Sequence, residues 1–298
     1  MKSGFVALVG RPNVGKSTLM NHLIGQKIAI TSAKAQTTRS RIRTVYTDKR
    51  GQIVFEDTPG ITRAKNKLGE FMVSVAEKTI EEADLILWIV DATGYIGAAE
   101  TEIRDQLRKA GKPLILAVNK VDLVQDRASL AEVIEKFRKF AAPKELIAVS
   151  GLRSGNTELL LDTLFSLLPE GPMFFDEDTV TEEPMRDIAA ELVREQALRL
   201  LRDEVPHGIA VVVDRMKERE DGLTDIDATI ICERESHKGM IIGKGGQMLK
   251  RIGTGARRAI EEMTGTRVNL KLWVKVRPDW RDDSAKMKEF GYDIRNLK

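Results

Sequence analysis

The chain has one cysteine, three histidines and few aromatic residues, 5% of its 298 positions. A single thiol, Cys232, excludes an internal disulfide and any zinc site built on several cysteines. It lies in a strand-like run and reads as a small core residue rather than a nucleophile. His22, His207 and His237 are scattered, without the spacing that would bring imidazoles to one metal. No apolar run approaches the ~20 residues needed to cross a bilayer. The N-terminus offers one lysine and a short apolar stretch, too little for a secretory signal. These absences are those expected of a cytosolic chain.

What is present begins with length and charge. A chain of 298 residues accommodates two domains. The formal net charge is only +3, but its distribution is uneven. Residues 238–281 carry eleven Lys/Arg against three acids, a local +8, so the rest of the chain sums to −5. One basic region on an otherwise acidic chain points to a polyanionic partner, the alternative being a solvated charged surface.

Residues 10–17 read Gly10-Arg11-Pro12-Asn13-Val14-Gly15-Lys16-Ser17. They follow a strand-like apolar run (Phe5–Val9) and precede a helical pattern starting with Thr18. A glycine-rich turn between strand and helix aims several backbone N–H groups at one point, and the helix N-terminus adds partial positive charge there. This is the phosphate-binding loop pattern: Lys16 reaches the outer phosphates and Ser17 holds Mg2+.

Up to about residue 170, short apolar runs alternate with amphipathic stretches. Strands are predicted at 3–9, 42–48, 51–57, 84–90, 113–119 and 145–149, helices near 16–25, 67–82, 97–110, 127–141 and 157–168. This predicts an α/β domain, a mostly parallel sheet with helices on both faces and its ligand at the carboxyl ends of the strands. Further motifs fall at those ends. Asp57-Thr58-Pro59-Gly60 offers a carboxylate for Mg2+ and a backbone N–H for a terminal phosphate. Asn119-Lys120-Val121-Asp122 offers the Asp122 carboxylate to the N1–H and exocyclic amine of guanine, a donor pair adenine lacks. In that loop the Lys120 stem can lie along the base and Asn119 can tie the loop to the phosphate loop. Ser150-Gly151-Leu152 can present backbone N–H groups to the guanine O6. The polar, aperiodic segment 31–39 lies between the phosphate loop and Asp57, and Thr38, chosen over Thr37, is expected to complete the Mg2+ shell.

These five motifs in this order resemble those of translation-factor-like GTPases, the group whose phosphate loop reads Gly-x-Pro-Asn-Val-Gly-Lys-Ser. The resemblance implies GTP/GDP as the ligand and catalysis by Lys16, Thr38, Gly60 and Asn13. Where Ras-like enzymes place a water-orienting glutamine, this chain has Ile61, which cannot hydrogen-bond water; unaided hydrolysis is therefore expected to be slow. In related GTPases the asparagine equivalent to Asn13 helps bind K+, so K+ stimulation is expected here.

Residues 171–184, proline- and acid-rich, read as a linker. Beyond it a helix is predicted at 186–203, then strands at 209–219 and 225–235, a short helix, Gly243-Lys244-Gly245-Gly246, a helix at about 246–264 and a strand at 267–277. Glycines let one backbone approach another, and opposed helix starts attract phosphates, which suits a single-stranded nucleic acid. Ile241, Ile242 and Ile252 are expected to form an apolar wall for bases, with Lys250, Arg251, Arg257 and Arg258 flanking. In the last strand Val268 to Val276 alternate with Arg267, Asn269, Lys271, Trp273, Lys275 and Arg277; that polar face either touches RNA phosphates or is solvated. The order resembles a smaller α+β type II KH domain, at 185–281. Residues 282–298 form a charged C-terminal tail, with a short helix possible and no readable purpose.

One GTPase domain (1–170) followed by one KH domain resembles the Era family of bacterial ribosome-assembly GTPases, over nearly the whole chain. The resemblance implies a monomer that binds the 3′ region of small-subunit (16S) rRNA and acts in rRNA maturation and assembly of the 30S ribosomal subunit. It also implies a cytoplasmic protein with a peripheral contact at the inner face of the membrane, which no residue pattern here carries. Two other readings stay open: a passive RNA-binding protein with a slow GTPase, and a cell-cycle or membrane-surface regulatory GTPase.

Overall fold

The computed structural model describes residues 1–61 and 63–296, with only the backbone of Asn296. The first domain is a six-stranded sheet in the order β2-β3-β1-β4-β5-β6. Its strands are β1 (Lys2–Val9), β2 (Ile42–Asp48), β3 (Gly51–Asp57), β4 (Leu85–Asp91), β5 (Leu114–Asn119) and β6 (Glu145–Ala148). All neighbours run parallel except the β2–β3 hairpin at one edge. Helices α1 (Lys16–Ile24), α2 (Lys67–Glu82), α3 (Ala98–Ala110), α4 (Arg127–Ala141) and α5 (Thr157–Leu167) cover both faces.

The two-residue period of the strands divides the core between those faces. Val6, Leu8, Leu85, Leu87 and Ile89 pack with α1 and α5 through Leu19, Met20, Leu160 and Leu164. Ala7, Val9, Ile86, Trp88 and Val90 pack on the other side with Ile80, Ile103, Leu107 and Phe137 of α2, α3 and α4. Local chemistry sets the helix starts. Asn66 caps α2 by accepting from Gly69 N, and Asp126 caps α4 by accepting from Ala128 N and Ser129 N.

The second domain comprises α6 (Met185–Leu200), β7 (Ala210–Glu218), β8 (Leu223–Cys232), α7 (Glu235–Ile242), α8 (Gln247–Thr264) and β9 (Arg267–Val276). Strands β7 and β8 are antiparallel, and β9 joins β8 in parallel at the opposite edge. Strand β8 starts at Leu223, two residues before the expected position, because the turn closes early: Gly222 N donates to Arg219 O and Arg219 N to Leu223 O. α6 and α8 cover one sheet face, burying Ile188, Leu192, Leu198, Ile226, Ile260 and Val268.

The segment between the domains is pinned to the β2–β3 hairpin. Val45 N donates to Val180 O at 2.8 Å, Thr181 Oγ1 to Arg43 O at 2.7 Å, and Gln52 Oε1 accepts from Phe174 N and Phe175 N. The C-terminal residues, including α9 (Ser284–Glu289), join the domains. Trp280, Met287, Phe290 and Tyr292 pack against Leu68, Phe71, Met72 and Val75 of α2. No helix among the described residues is long and apolar enough to cross a membrane.

Candidate functional site: a phosphate cradle strapped to a Gly-x-x-Gly domain

The β1–α1 turn is tightly crowded. A Cβ on Gly10 would strike Ile89 O, and one on Gly15 would lie 2.5 Å from Asn119 Nδ2. Gly15 also has φ +96°, a region side chains avoid. Lys16 is buried and donates to Gly10 O at 3.2 Å and Arg11 O at 3.3 Å, which holds its ammonium over the loop. Burial pushes the Lys16 pKa down, opposed by Asp57. Burial pushes the Asp57 pKa up, opposed by Lys16 and by the hydroxyls of Ser17 and Thr38. Both directions mark a dry site in which ionised groups call for further charge to balance them.

The three residues expected to hold Mg2+ meet. Ser17 Oγ donates to Asp57 Oδ2 at 2.5 Å, Thr38 Oγ1 donates to the same oxygen at 3.1 Å, and the two hydroxyls lie 3.1 Å apart. Asp57 Oδ1 is buried without a hydrogen-bond partner. A hard-oxygen set with a spare carboxylate oxygen fits Mg2+. The neighbouring hydroxyl is directed elsewhere: Thr37 Oγ1 donates to Lys34 O at 2.7 Å. Gly60 presses on the phosphate loop so closely that a Cβ would lie 2.7 Å from Pro12 N. Thr58 Oγ1 donates to Leu8 O, fixing the start of the Asp57–Gly60 turn. Ile61 packs against the core on the α3 side.

The base-reading loops also converge. Asn119 Nδ2 donates to Val14 O at 2.9 Å, and its Oδ1 accepts from Gly151 N at 3.0 Å. Asp122 Oδ1 accepts from Ser150 Oγ at 2.6 Å. Lys120 Nζ donates to Asn13 O, tying the base-reading loop to the phosphate loop. One expectation changes. Gly151 gives its N–H to Asn119, so it is not a free donor for the guanine O6.

Segment 31–39 alternates its contacts between the two domains. Toward the cradle, Ala33 O accepts from Asn13 Nδ2 at 2.8 Å, and Thr38 joins Ser17 and Asp57. Toward the second domain, Thr31 N donates to Glu195 Oε1 at 2.9 Å, Lys34 Nζ to Leu201 O, and Arg194 Nη2 to Thr37 O. Arg39 then enters the second domain, donating to Ile209 O at 2.5 Å and His207 O at 2.9 Å, with its guanidinium 5.9 Å from the Trp280 ring. Arg194 and Glu195 are fully buried. Glu195 is further paired with Lys27 at 2.6 Å and Arg199 at 3.0 Å. Sequence reasoning misses these residues, because Arg194 and Glu195 look there like ordinary helix charges. The side chain of Arg11, a residue expected among the nucleotide contacts, pairs with buried Glu100 and reaches Asp91 at 3.9 Å.

In the second domain α7 ends at Gly243 (φ 70°), and one tight turn leads into α8. Lys244 and Gly245 are exposed, and a methyl group added at Gly245 (φ 58°) or Gly246 (φ 78°) would meet nothing within 4 Å. The expected apolar wall needs correction. Ile241 and Ile252 are fully buried in the core with Val193 and Ile230, and only Ile242 keeps surface; Met248 and Leu249 lie half-buried beside it. Lys250, Arg251 and Arg258 are exposed, while Arg257 pairs with Glu261 at 3.3 Å.

A phosphate cradle with a carboxylate where guanine recognition is expected, on a mostly parallel sheet joined to a Gly-x-x-Gly domain, defines a GTPase with an attached KH module. Profile comparison agrees: residues 5–120 match the family described as 50S ribosome-binding GTPase, and residues 204–281 the KH domain family. The chain is 52% identical over 291 residues to GTPase Era of Ruminiclostridium cellulolyticum, covering 98% of this chain and 97% of that protein. It is 48% identical over 293 residues to GTPase Era of Clostridioides difficile, covering 98% and 99%. A solved structure of an Aquifex aeolicus Era variant bound to GDP and AlF4− is similar at a TM-score of 0.95 and 42% identity, covering 99% of this chain and 100% of that one. A structure of Era with MgGDPNP and nucleotides 1506–1542 of 16S ribosomal RNA is equally similar, TM-score 0.95 and 42% identity, with the same 99% and 100% coverage. The chain belongs to the Era family of GTPases.

Proposed function

We propose that this protein is a GTP-dependent switch that grips the 3′ region of small-subunit rRNA and acts in rRNA maturation and 30S assembly, as a monomer carrying both sites. In this reading residues 1–170 hydrolyse GTP, 171–184 link, 185–281 bind RNA, and 282–298 pack the two parts together. Backbone N–H groups of the phosphate loop and Lys16 hold the phosphates, and Asp122 selects guanine. Ser17, Thr38 and Asp57 would hold Mg2+, which when bound neutralises phosphate charge. Thr38 and Gly60 respond to the γ-phosphate. With Ile61 unable to orient water, turnover is slow, and K+ beside Asn13 supplies added positive charge. Equal turnover in K+ and Na+ at matched ionic strength would remove that K+ role.

The observation that supports coupling is the adjacency of Thr38 and Arg39. One joins Ser17 and Asp57 while the next is buried against His207 and Ile209 of the RNA-binding domain. Loss of the γ-phosphate releases Thr38, and the strap transmits that release through Arg39, Arg194 and Glu195. The test measures RNA affinity with GDP and with a non-hydrolysable GTP analogue. The native protein is expected to distinguish the two states and Arg39→Ala to lose the distinction. Identical native affinities would sink the switch.

A further inference from the structure

The sheet of the RNA-binding domain has a second face that α6 and α8 do not cover. C-terminal residues including Trp280 and Tyr292 pack against its Ala210, Val212 and Ile231, and only the part along β9 is left open. On β9, Val268, Leu270, Leu272, Val274 and Val276 turn toward α6 and α8. Arg267, Asn269, Lys271, Trp273 and Lys275 alternate to the other side. Trp273 keeps 50% of its surface exposed, whereas Trp88 and Trp280 keep none. An indole left in water forgoes ~2 kcal/mol or more of burial, which makes it an unusual choice at the centre of a polar strand.

Its surroundings favour one kind of occupant. Lys271 and Lys275 flank Trp273 on the same face at two-residue spacing, and neither has an ion pair among the described residues. Across the ladder Trp273 faces Thr229 and Lys275 faces Ile231, both uncharged; Lys271 faces Asp227. A lone aromatic between two lysines, one of them opposite Asp227, is unlike the apolar centre of a protein interface, from which charge is depleted. It matches single-strand nucleic-acid platforms, where a base stacks on an aromatic ring and cations take the phosphates. The Gly-x-x-Gly region lies on the helix side of the same edge strand, where Ile241 of α7 packs with Val274 and Val276, so a strand leaving that loop reaches Trp273 by passing the free edge of β9. The C-terminal half of β9 packs beside α7, whose last residues lead into Gly243–Gly246, and α7 exposes Met240 and Lys238. Residues 238–281 carry the local +8.

We propose that the open part of this face along β9 is a second RNA-binding platform. A base of the strand held at Gly243–Gly246 stacks on Trp273, and Lys271 and Lys275 contact the flanking phosphates. This rests on the reading of the Gly-x-x-Gly loop as the primary grip.

Trp273 reports on its own occupancy, because the other two tryptophans are buried. The full-length protein would be titrated with a single-stranded RNA of about four nucleotides, the length a Gly-x-x-Gly loop clamps, and with a longer strand. The longer strand is expected to quench Trp273 emission and the short one to leave it unchanged. Trp273→Ala should weaken the longer strand by about 5- to 140-fold, the equivalent of one base stack, without affecting the short one. Trp273→Phe should restore most of that affinity. Lys271→Ala with Lys275→Ala should reduce the salt slope for the longer strand by about 1.4. Unquenched emission, or native affinity for the longer strand in Trp273→Ala, would overturn the platform, as would an emission shift caused by anionic phospholipid vesicles and not by RNA. Lys244→Asp with Gly245→Asp serves as control. If it loses the short strand while Trp273→Ala changes nothing, only the platform fails. If it binds the short strand like the native protein, the primary grip fails and the platform with it.

Discussion

Two glycine loops in this molecule are suited to phosphate through backbone amides at helix starts, yet their glycines are there for different reasons. At the phosphate loop the crowding is internal: a methyl group at Gly10, Gly15 or Gly60 meets Ile89, Asn119 or Pro12 of the same protein. At Gly245 and Gly246 a methyl group meets nothing. The first loop is a cradle closed by its own neighbours and set before the ligand arrives. The second is crowded only at Gly243, where a Cβ would lie 2.7 Å from Met248 Cβ, and is an open grip at Gly245 and Gly246, which leave room for another molecule's backbone. Preorganisation serves selective binding and catalysis on a small ligand, whereas an open loop suits a long polymer that must enter sideways.

The comparison predicts opposite costs for the same kind of change. Gly15→Ala combines a left-handed φ with displacement of Asn119, which would leave Val14 O and Gly151 N unpaired. Together these cost about 4 kcal/mol. We expect GTP affinity to fall by about 10^3-fold and the melting temperature to fall with it, checked by nucleotide titration and calorimetry. A Gly15→Ala protein with native stability would show that the cradle is not preorganised by crowding.

Asp122→Asn tests the specificity of the cradle rather than its shape. Asp122 is held by Ser150 Oγ at 2.6 Å, so its carboxylate is aimed before guanine binds. Discrimination between GTP and ATP should fall by up to about 10^4-fold while the melting temperature changes little. Retained discrimination would move base reading to the Ser150–Leu152 loop.

Much of this is legible in the sequence because it is local. The apolar periods give β2 and α2 their observed limits, and each nucleotide motif is a run of adjacent residues at a strand end. Thr38 can be preferred to Thr37 from the sequence, and the structure directs only Thr38 to Ser17 and Asp57. What stays hidden depends on distant pairing. Arg194 and Glu195 look like exposed helix charges until Thr37, Thr31 and Lys27, over 150 positions away, are folded against them. Ile241 and Ile252 pass for a binding wall because a ligand face and a core face have the same helical period. The tail carries one unused signal, in that Trp280, Phe290 and Tyr292 are concentrated in an otherwise charged stretch. Burial against α2 is what such aromatics in a polar tail signify.

Glu195→Gln probes the strap that joins the two loops. The amide can still accept from Thr31 N, but the half-exposed Lys27 and Arg199 lose the charge of their buried partner. Stability should fall by about 2 kcal/mol, less than for a fully buried pair because both cations can turn to solvent. RNA affinity should become less dependent on whether GDP or a GTP analogue is bound, measured by parallel titrations. An undiminished difference between the nucleotide states would place the coupling in the α2–Trp280 contact instead.

The smallest effect is expected where the second loop is most open. Gly245→Ala adds a methyl group into free space at φ 58°, so its cost is the left-handed backbone alone, about 1 to 2 kcal/mol. Because the loop is exposed and one turn long, it can relax in the free protein, and the melting temperature should move by no more than a few degrees. RNA binding requires the unrelaxed conformation and room for a second backbone, so affinity should fall by about tenfold or more while GTP hydrolysis without RNA is unchanged. If Gly245→Ala instead destabilised the protein as strongly as Gly15→Ala, the second loop would be held by internal packing like the first, and the distinction between cradle and grip would collapse.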